Sequence, residues 1–167
     1  MTDVVLAFLT FGHILSAMGW LGGGLITGFA LGPNLRKMSQ TAALEFNAKV
    51  LPNLVNFVQA AAVLTIVFGL LLLGYLYSQD SAYFSSTSGM YVSVGIVLAA
   101  VTAAIAFSMT IPSFKKVSKI SADIIAGKQQ GPPPEMMNYA KRARQGSLIG
   151  VALLLIILAA MVAAGVS

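Results

Sequence analysis

Residues 13–23 read HILSAMGWLGG and hold the chain's only histidine and its only tryptophan. A neutral imidazole keeps one nitrogen lone pair free, and that is the donor iron or copper takes. On a helix turning about 100° per residue, His13, Ser16, Trp20, Gly24 and Thr27 fall on one face. His13 lies about ten residues into an apolar segment, roughly 15 Å deep at ~1.5 Å per residue. At that depth the low dielectric favours the uncharged ring.

The residues around this face allow two uses. Gly12, Ser16, Trp20, Gly24, Gly28 and Gly32 recur at four-residue spacing, with Gly22 and Gly23 adding further gaps in side-chain bulk. Such a stripe lets a second helix approach closely. It would equally let a flat macrocycle lie against the backbone. Asn56, Gln59 and Thr65 are the polar residues of a second apolar segment. Asn56 and Gln59, three apart on one face, suit either a hydrogen bond between helices or the polar edge of a ligand. Among the eight methionines, Met161 lies closest to the expected depth of His13. Thioether sulfur packs apolar cores and also ligates haem iron and Cu(I).

The elements that must position these residues follow from composition. Of 167 residues, 57% are hydrophobic and 9% charged. Four apolar segments, about 4–31, 54–77, 90–111 and 148–166, are each long enough for a ~30 Å hydrocarbon core. The expected fold is an all-α integral membrane domain, an antiparallel four-helix bundle filling the whole chain, residues 1–167. The first segment carries no basic residue ahead of it, so it is read as a retained helix and not a cleaved leader. No internal repeat or low-complexity tract stands out.

All ten basic residues fall in two stretches, Arg36 to Lys49 and Lys115 to Arg144. The segment 2–3 connection, SQDSAYFSSTSG, has none. The positive-inside rule then places the basic loops in the cytoplasm and both termini outside, in the plasma membrane. The net charge of +5 has this topological origin, so nucleic acid is not an expected partner; a lipid-headgroup role for these charges is compatible with it. Within 112–147, Phe114, Val117, Ile120 and Ile124 have helical spacing, which predicts an amphipathic extension of the third helix with a kink near Pro112. Gly127 and GPPPE end it, and Pro134 and Glu135 suit the start of the helix that runs into segment four.

Composition also excludes chemistry. There is no cysteine, so disulfides and thiolate metal sites are ruled out. No Asp, Glu, Lys or Arg lies inside the four segments. That argues against proton-coupled transport, which runs on intramembrane ionisable groups.

The stretch HILSAMGWLGGGLITGFALGPNLRK resembles the first helix of small membrane proteins of the copper-resistance D family and of HemJ-type protoporphyrinogen oxidases. The shared features are a histidine, a tryptophan seven positions on, small residues, and a basic residue at the helix end. Here these are His13, Trp20, Gly22, Gly23 and Arg36. The resemblance implies a b-type haem held in a four-helix bundle, with His13 as axial ligand. It implies Trp20 and the glycines, Gly23 and Gly24 among them, as the wall facing the porphyrin. Ser16, Asn56, Gln59 and Thr65 are further candidates to line it, and Arg36 would pair with the propionates. With no second histidine, the iron would be five-coordinate, bound by His13 and Met161, or shared by His13 of two copies in a homodimer. HemJ-type oxidases are also thought to use a lysine, and the four segments hold none.

Three readings follow. One is a membrane haem b protein with a redox or electron-transfer role, an oxidoreductase if it turns over a substrate, served by a membrane or soluble redox partner. A second is a protein that binds or transports copper or another small ligand. The third is a ligand-free assembly subunit whose small-residue stripe is a helix interface.

Overall fold

The computed structural model describes residues 3–166, and these form helices joined by short turns. Helix α1 (Val4–Leu25) passes into a π-helical turn (Ile26–Leu31) and a short helix α2 (Gly32–Leu35). Then come α3 (Gln40–Lys49), α4 (Leu51–Gln79), a 3₁₀ turn (Tyr83–Ser85) and α5 (Thr87–Ile105). A second π turn (Ala106–Thr110) joins α5 to α6 (Ile111–Ile125), and α7 (Pro134–Val166) ends the fold. Four stretches, Val4–Leu35, Leu51–Gln79, Thr87–Ile125 and Pro134–Val166, are long and apolar enough to cross a membrane, which suggests a multi-pass membrane protein.

The helices pair. α1 packs chiefly on α4, and α5 chiefly on α7. Glycine makes the first seam possible. A Cβ on Gly12 would stand 2.6 Å from the Phe68 ring, one on Gly19 3.2 Å from Ala61, and one on Gly23 would overlap Val58. The two pairs meet through α1 and α7, where Gly24 faces Val151 and Gly28 faces Leu148 and Ser147. Two apolar cores result. One joins Trp20, Ala61 and Ala62. The other joins Leu51, Val55, Ile111, Phe114, Val117 and Ala143 at the end where the basic residues lie.

The helices outrun their apolar segments. α4 begins at Leu51 and α7 at Pro134, both before the spans expected from hydropathy. The amphipathic extension is present as α6, with Phe114 and Val117 buried and Ile120 and Ile124 half-buried. It ends at Ile125, and Gly127 follows with a left-handed φ of 71°. Near Pro112, where a kink is expected, a π turn (Ala106–Thr110) ends two residues before the proline. α3 has no counterpart in the sequence reading; Ser39 caps it, and it packs against α6.

A recurrence becomes visible here that the sequence alone does not announce. Each π turn ends two residues before a proline, and each proline starts a similar pentapeptide, PNLRK at 33–37 and PSFKK at 112–116. Proline has no N–H, so it leaves carbonyls one turn back without a donor. In the first case Arg144 of α7 supplies one, its Nε donating to the Gly28 carbonyl at 3.4 Å.

At the opposite end Asp3 caps α1, accepting from the Val5 and Leu6 amides at 3.0 and 3.1 Å. Its other oxygen accepts from the Tyr75 hydroxyl of α4. The Tyr75 bond, then the Leu6 amide, hold the Asp3 carboxyl below its ordinary 3.8. A carboxyl with a lowered folded pKa stabilises the fold above its unfolded value and loses that contribution as pH falls through the lowered one. Tyr75→Phe is therefore expected to lower the thermal midpoint in detergent near neutral pH and to make no difference in strong acid. Equal midpoint differences at both pH values would show that the latch does not depend on the carboxylate.

Candidate functional site

His13 lies half-buried in the α1/α4 seam. Its Nδ1 is 2.9 Å from the carbonyl oxygen of Thr65 on α4. A carbonyl only accepts, so the proton of the ring sits on Nδ1 and Nε2 keeps its lone pair. This is how metal-ligating histidines are commonly oriented, by a hydrogen bond from the nitrogen that does not ligate. The Thr65 hydroxyl takes no part in this contact; it turns back to the Ala61 carbonyl at 2.8 Å. Gly69, one turn further, leaves room for the ring: a Cβ there would stand 3.0 Å from His13 Cε1.

That last contact yields a test of the orientation. Gly69→Ala is expected to push the imidazole and lengthen its bond to Thr65. The measurement is the ring ¹⁵N chemical shifts of the labelled protein, which report the tautomer. An unchanged spectrum would show that Gly69 does not position the ring.

The other residues singled out in the sequence scatter. Ser16 turns back on its own helix, to the carbonyls of Gly12 at 2.6 Å and His13 at 3.1 Å. Gly23 is filled by Val58 and Gly24 touches Val151, with a Cβ on it 3.0 Å from that side chain, so both serve helix contacts. Arg36 is exposed at the end of α2. Asn56 is exposed, and Gln59 accepts a hydrogen bond from Lys115 Nζ at 3.0 Å. Met161 lies over Gly95, within the α5/α7 pair. Of the set, His13 and Thr65 are brought together.

Trp20 and Gly24 instead line a cavity of about 50 Å³ between the two helix pairs, with Thr27, Thr102, Thr110 and Ser147. Trp20 is buried, 5% exposed. The Thr27 hydroxyl donates back to the Gly23 carbonyl at 2.9 Å and lies 3.1 Å from the Ser147 hydroxyl, which links the first π turn to α7. Both π turns contribute to the walls, through Thr27 on one side and Ala106 and Thr110 on the other. Sequence reading assigned no role to Thr102, Thr110, Gly146 or Ser147, which also line the cavity. The available signal was small or hydroxyl-bearing residues at helical spacing beside a proline, too common in membrane helices to be distinctive.

Size decides what this cavity can hold. About 50 Å³ takes one or a few waters, while pockets that enclose drug-sized ligands start near ~300 Å³. A porphyrin does not fit there. The ligand atom fits haem at His13; the glycine wall does not, because neighbouring helices occupy it. Among the described residues no group of three His, Cys, Asp or Glu could hold a bare metal ion. Haem differs in this respect, since the macrocycle brings four of the iron's ligands and asks the protein for one or two.

No family model, curated protein or solved structure matches this chain.

Proposed function

We propose that this chain is a membrane-embedded b-type haem protein in which His13 is the axial ligand. The observation that carries the reading is the His13 Nδ1 to Thr65 carbonyl distance of 2.9 Å, which leaves Nε2 free. The resemblance of residues 13–37 to copper-resistance D and HemJ-type proteins points the same way. When bound, the haem would supply one-electron redox chemistry. His13 would hold the iron, and the Thr65 carbonyl would fix the plane of the imidazole.

The four helices run antiparallel in this reading. Contacts of Gly12 with Phe68, Gly19 with Ala61 and Gly23 with Val58 support that for α1 and α4, since partner numbers fall as α1 advances. The basic loops face the cytoplasm of the cell membrane, and both termini face outward. Because the cavity beside Trp20 is too small for a porphyrin, the macrocycle in this reading is covered from outside the described bundle, by lipid or by a second copy. Phe8, Phe11 and Ile14 near His13 are each more than half exposed, an apolar surface either can cover. A homodimer sharing one haem between two His13 rings would give the iron its sixth ligand.

The pyridine haemochrome of protein purified from haem-replete cells tests this. The expected result is protohaem at one per chain, or one per two chains if shared. Protein that holds none overturns the reading. The packed glycines favour a second reading, a ligand-free assembly subunit, and it is the one left standing by that result.

A further inference from the structure

We propose that the edge between α4 and α6 is a binding site for the phosphate of an anionic phospholipid. Its residues are Asn56, Gln59 and Lys115.

Position comes first. α4 has 29 residues, and a ~30 Å hydrocarbon core takes about twenty of them. Tyr75 and Tyr77 lie near one end, where interfacial aromatics belong. Twenty residues back from Tyr75 falls at Val55, and from Tyr77 at Phe57. Asn56 and Gln59 therefore lie within about one helical turn of that boundary, within reach of a headgroup phosphate.

Chemistry comes next. Lys115 belongs to α6, yet its ammonium reaches across to Gln59 Oε1 at 3.0 Å. That bond uses one of three ammonium donors and turns the Gln59 amide so that its NH₂ stays free. Asn56 lies three residues before Gln59 on the same helix face and adds a second amide. Ammonium and amides thus gather at one helix edge. Phosphate accepts from all of these donors, whereas choline or ethanolamine gains nothing from Lys115.

Charge at this end selects an anion. All ten cations lie here, against Glu45, Asp123 and Glu135. The one ion pair among the described residues joins Lys49 to Glu45 at a long 3.9 Å. Lys115 has no carboxylate partner among the described residues, so its charge is available to a ligand. Surface lysines in general attract anionic lipid diffusely; what sets Lys115 apart is its bridge to a neighbouring helix.

The test is thermal unfolding of the full chain in neutral detergent, with added phosphatidylglycerol, phosphatidylcholine or inorganic phosphate. Wild type is expected to gain stability with phosphatidylglycerol over phosphatidylcholine. Lys115→Ala and Gln59→Leu are expected to lose most of that difference, and Lys128→Ala, in the loop after α6, to keep it. Equal effects of the two lipids would overturn the site. So would equal losses in Lys115→Ala and Lys128→Ala, which mark a diffuse charge effect. Stabilisation by inorganic phosphate matching phosphatidylglycerol would overturn the assignment to lipid. Haem content is a separate readout and is expected to be the same in all these variants.

Discussion

Gly23→Leu is expected to abolish stable folding, while Gly22→Leu, one residue away, is expected to leave it intact. A Cβ at Gly23 overlaps the Val58 side chain, and the rest of a leucine has nowhere to go in the α1/α4 seam. The cost of such overpacking is about 3 kcal/mol or more, since the backbones of two long helices must separate. At Gly22 a Cβ meets nothing within 4 Å. Leucine there gains helix propensity worth up to ~1 kcal/mol over glycine and adds an apolar group to a membrane helix. The yield of monodisperse protein in detergent and its thermal midpoint check both. A tolerated Gly23→Leu would mean that α1 and α4 do not pack as described, and that this face is open to a ligand after all.

Gly89→Ala is expected to be the most damaging single methyl group in the chain. A Cβ there would overlap the backbone oxygen of Tyr83 and stand 2.6 Å from the Phe84 Cα. These are main-chain atoms of the 3₁₀ turn that leads into α5, and they cannot rotate aside. Ser86 also caps α5 through the Gly89 amide at 3.1 Å, so any shift breaks the cap. The expected loss is about 1–3 kcal/mol. Gly95→Ala is the matched control. Its Cβ would meet Met161 Cε, the far end of a flexible side chain that can turn away. If Gly89→Ala and Gly95→Ala melt alike, the rigidity assigned to the turn is wrong.

Hydropathy made the four long helices legible, because runs of apolar residues that long have few other uses. It left their ends unclear. Leu51 of α4, and Phe114 and Val117 of α6, lie beyond the apolar segments yet bury together with Val55 and Ile111 at the segment ends, and a membrane scale does not see packing in that layer. The sites divide the same way. His13 was conspicuous as a lone imidazole, but its partner is the backbone carbonyl of Thr65, and a sequence does not tell which carbonyl a ring will meet. Arg36 attracted attention by its place after the glycines. Arg144 is the arginine that bonds to another helix, since α7 brings it beside the Gly28 carbonyl from more than a hundred residues away. The glycine stripe was open to two readings in the sequence, and contact with Phe68, Ala61, Val58 and Val151 supports the helix interface. The recurrence of PNLRK and PSFKK, five residues each, was no part of the sequence reading. It gains weight from the two π turns set at the same distance before each proline.

The central claim is that His13 Nε2 holds a haem iron. It is tested most directly by the dithionite-reduced minus air-oxidised visible spectrum of the purified protein, for wild type and for His13→Ala. The account predicts a Soret band with α and β bands in wild type and their loss in a variant that still folds. A wild type with no Soret band, or an unchanged spectrum in folded His13→Ala, would contradict it.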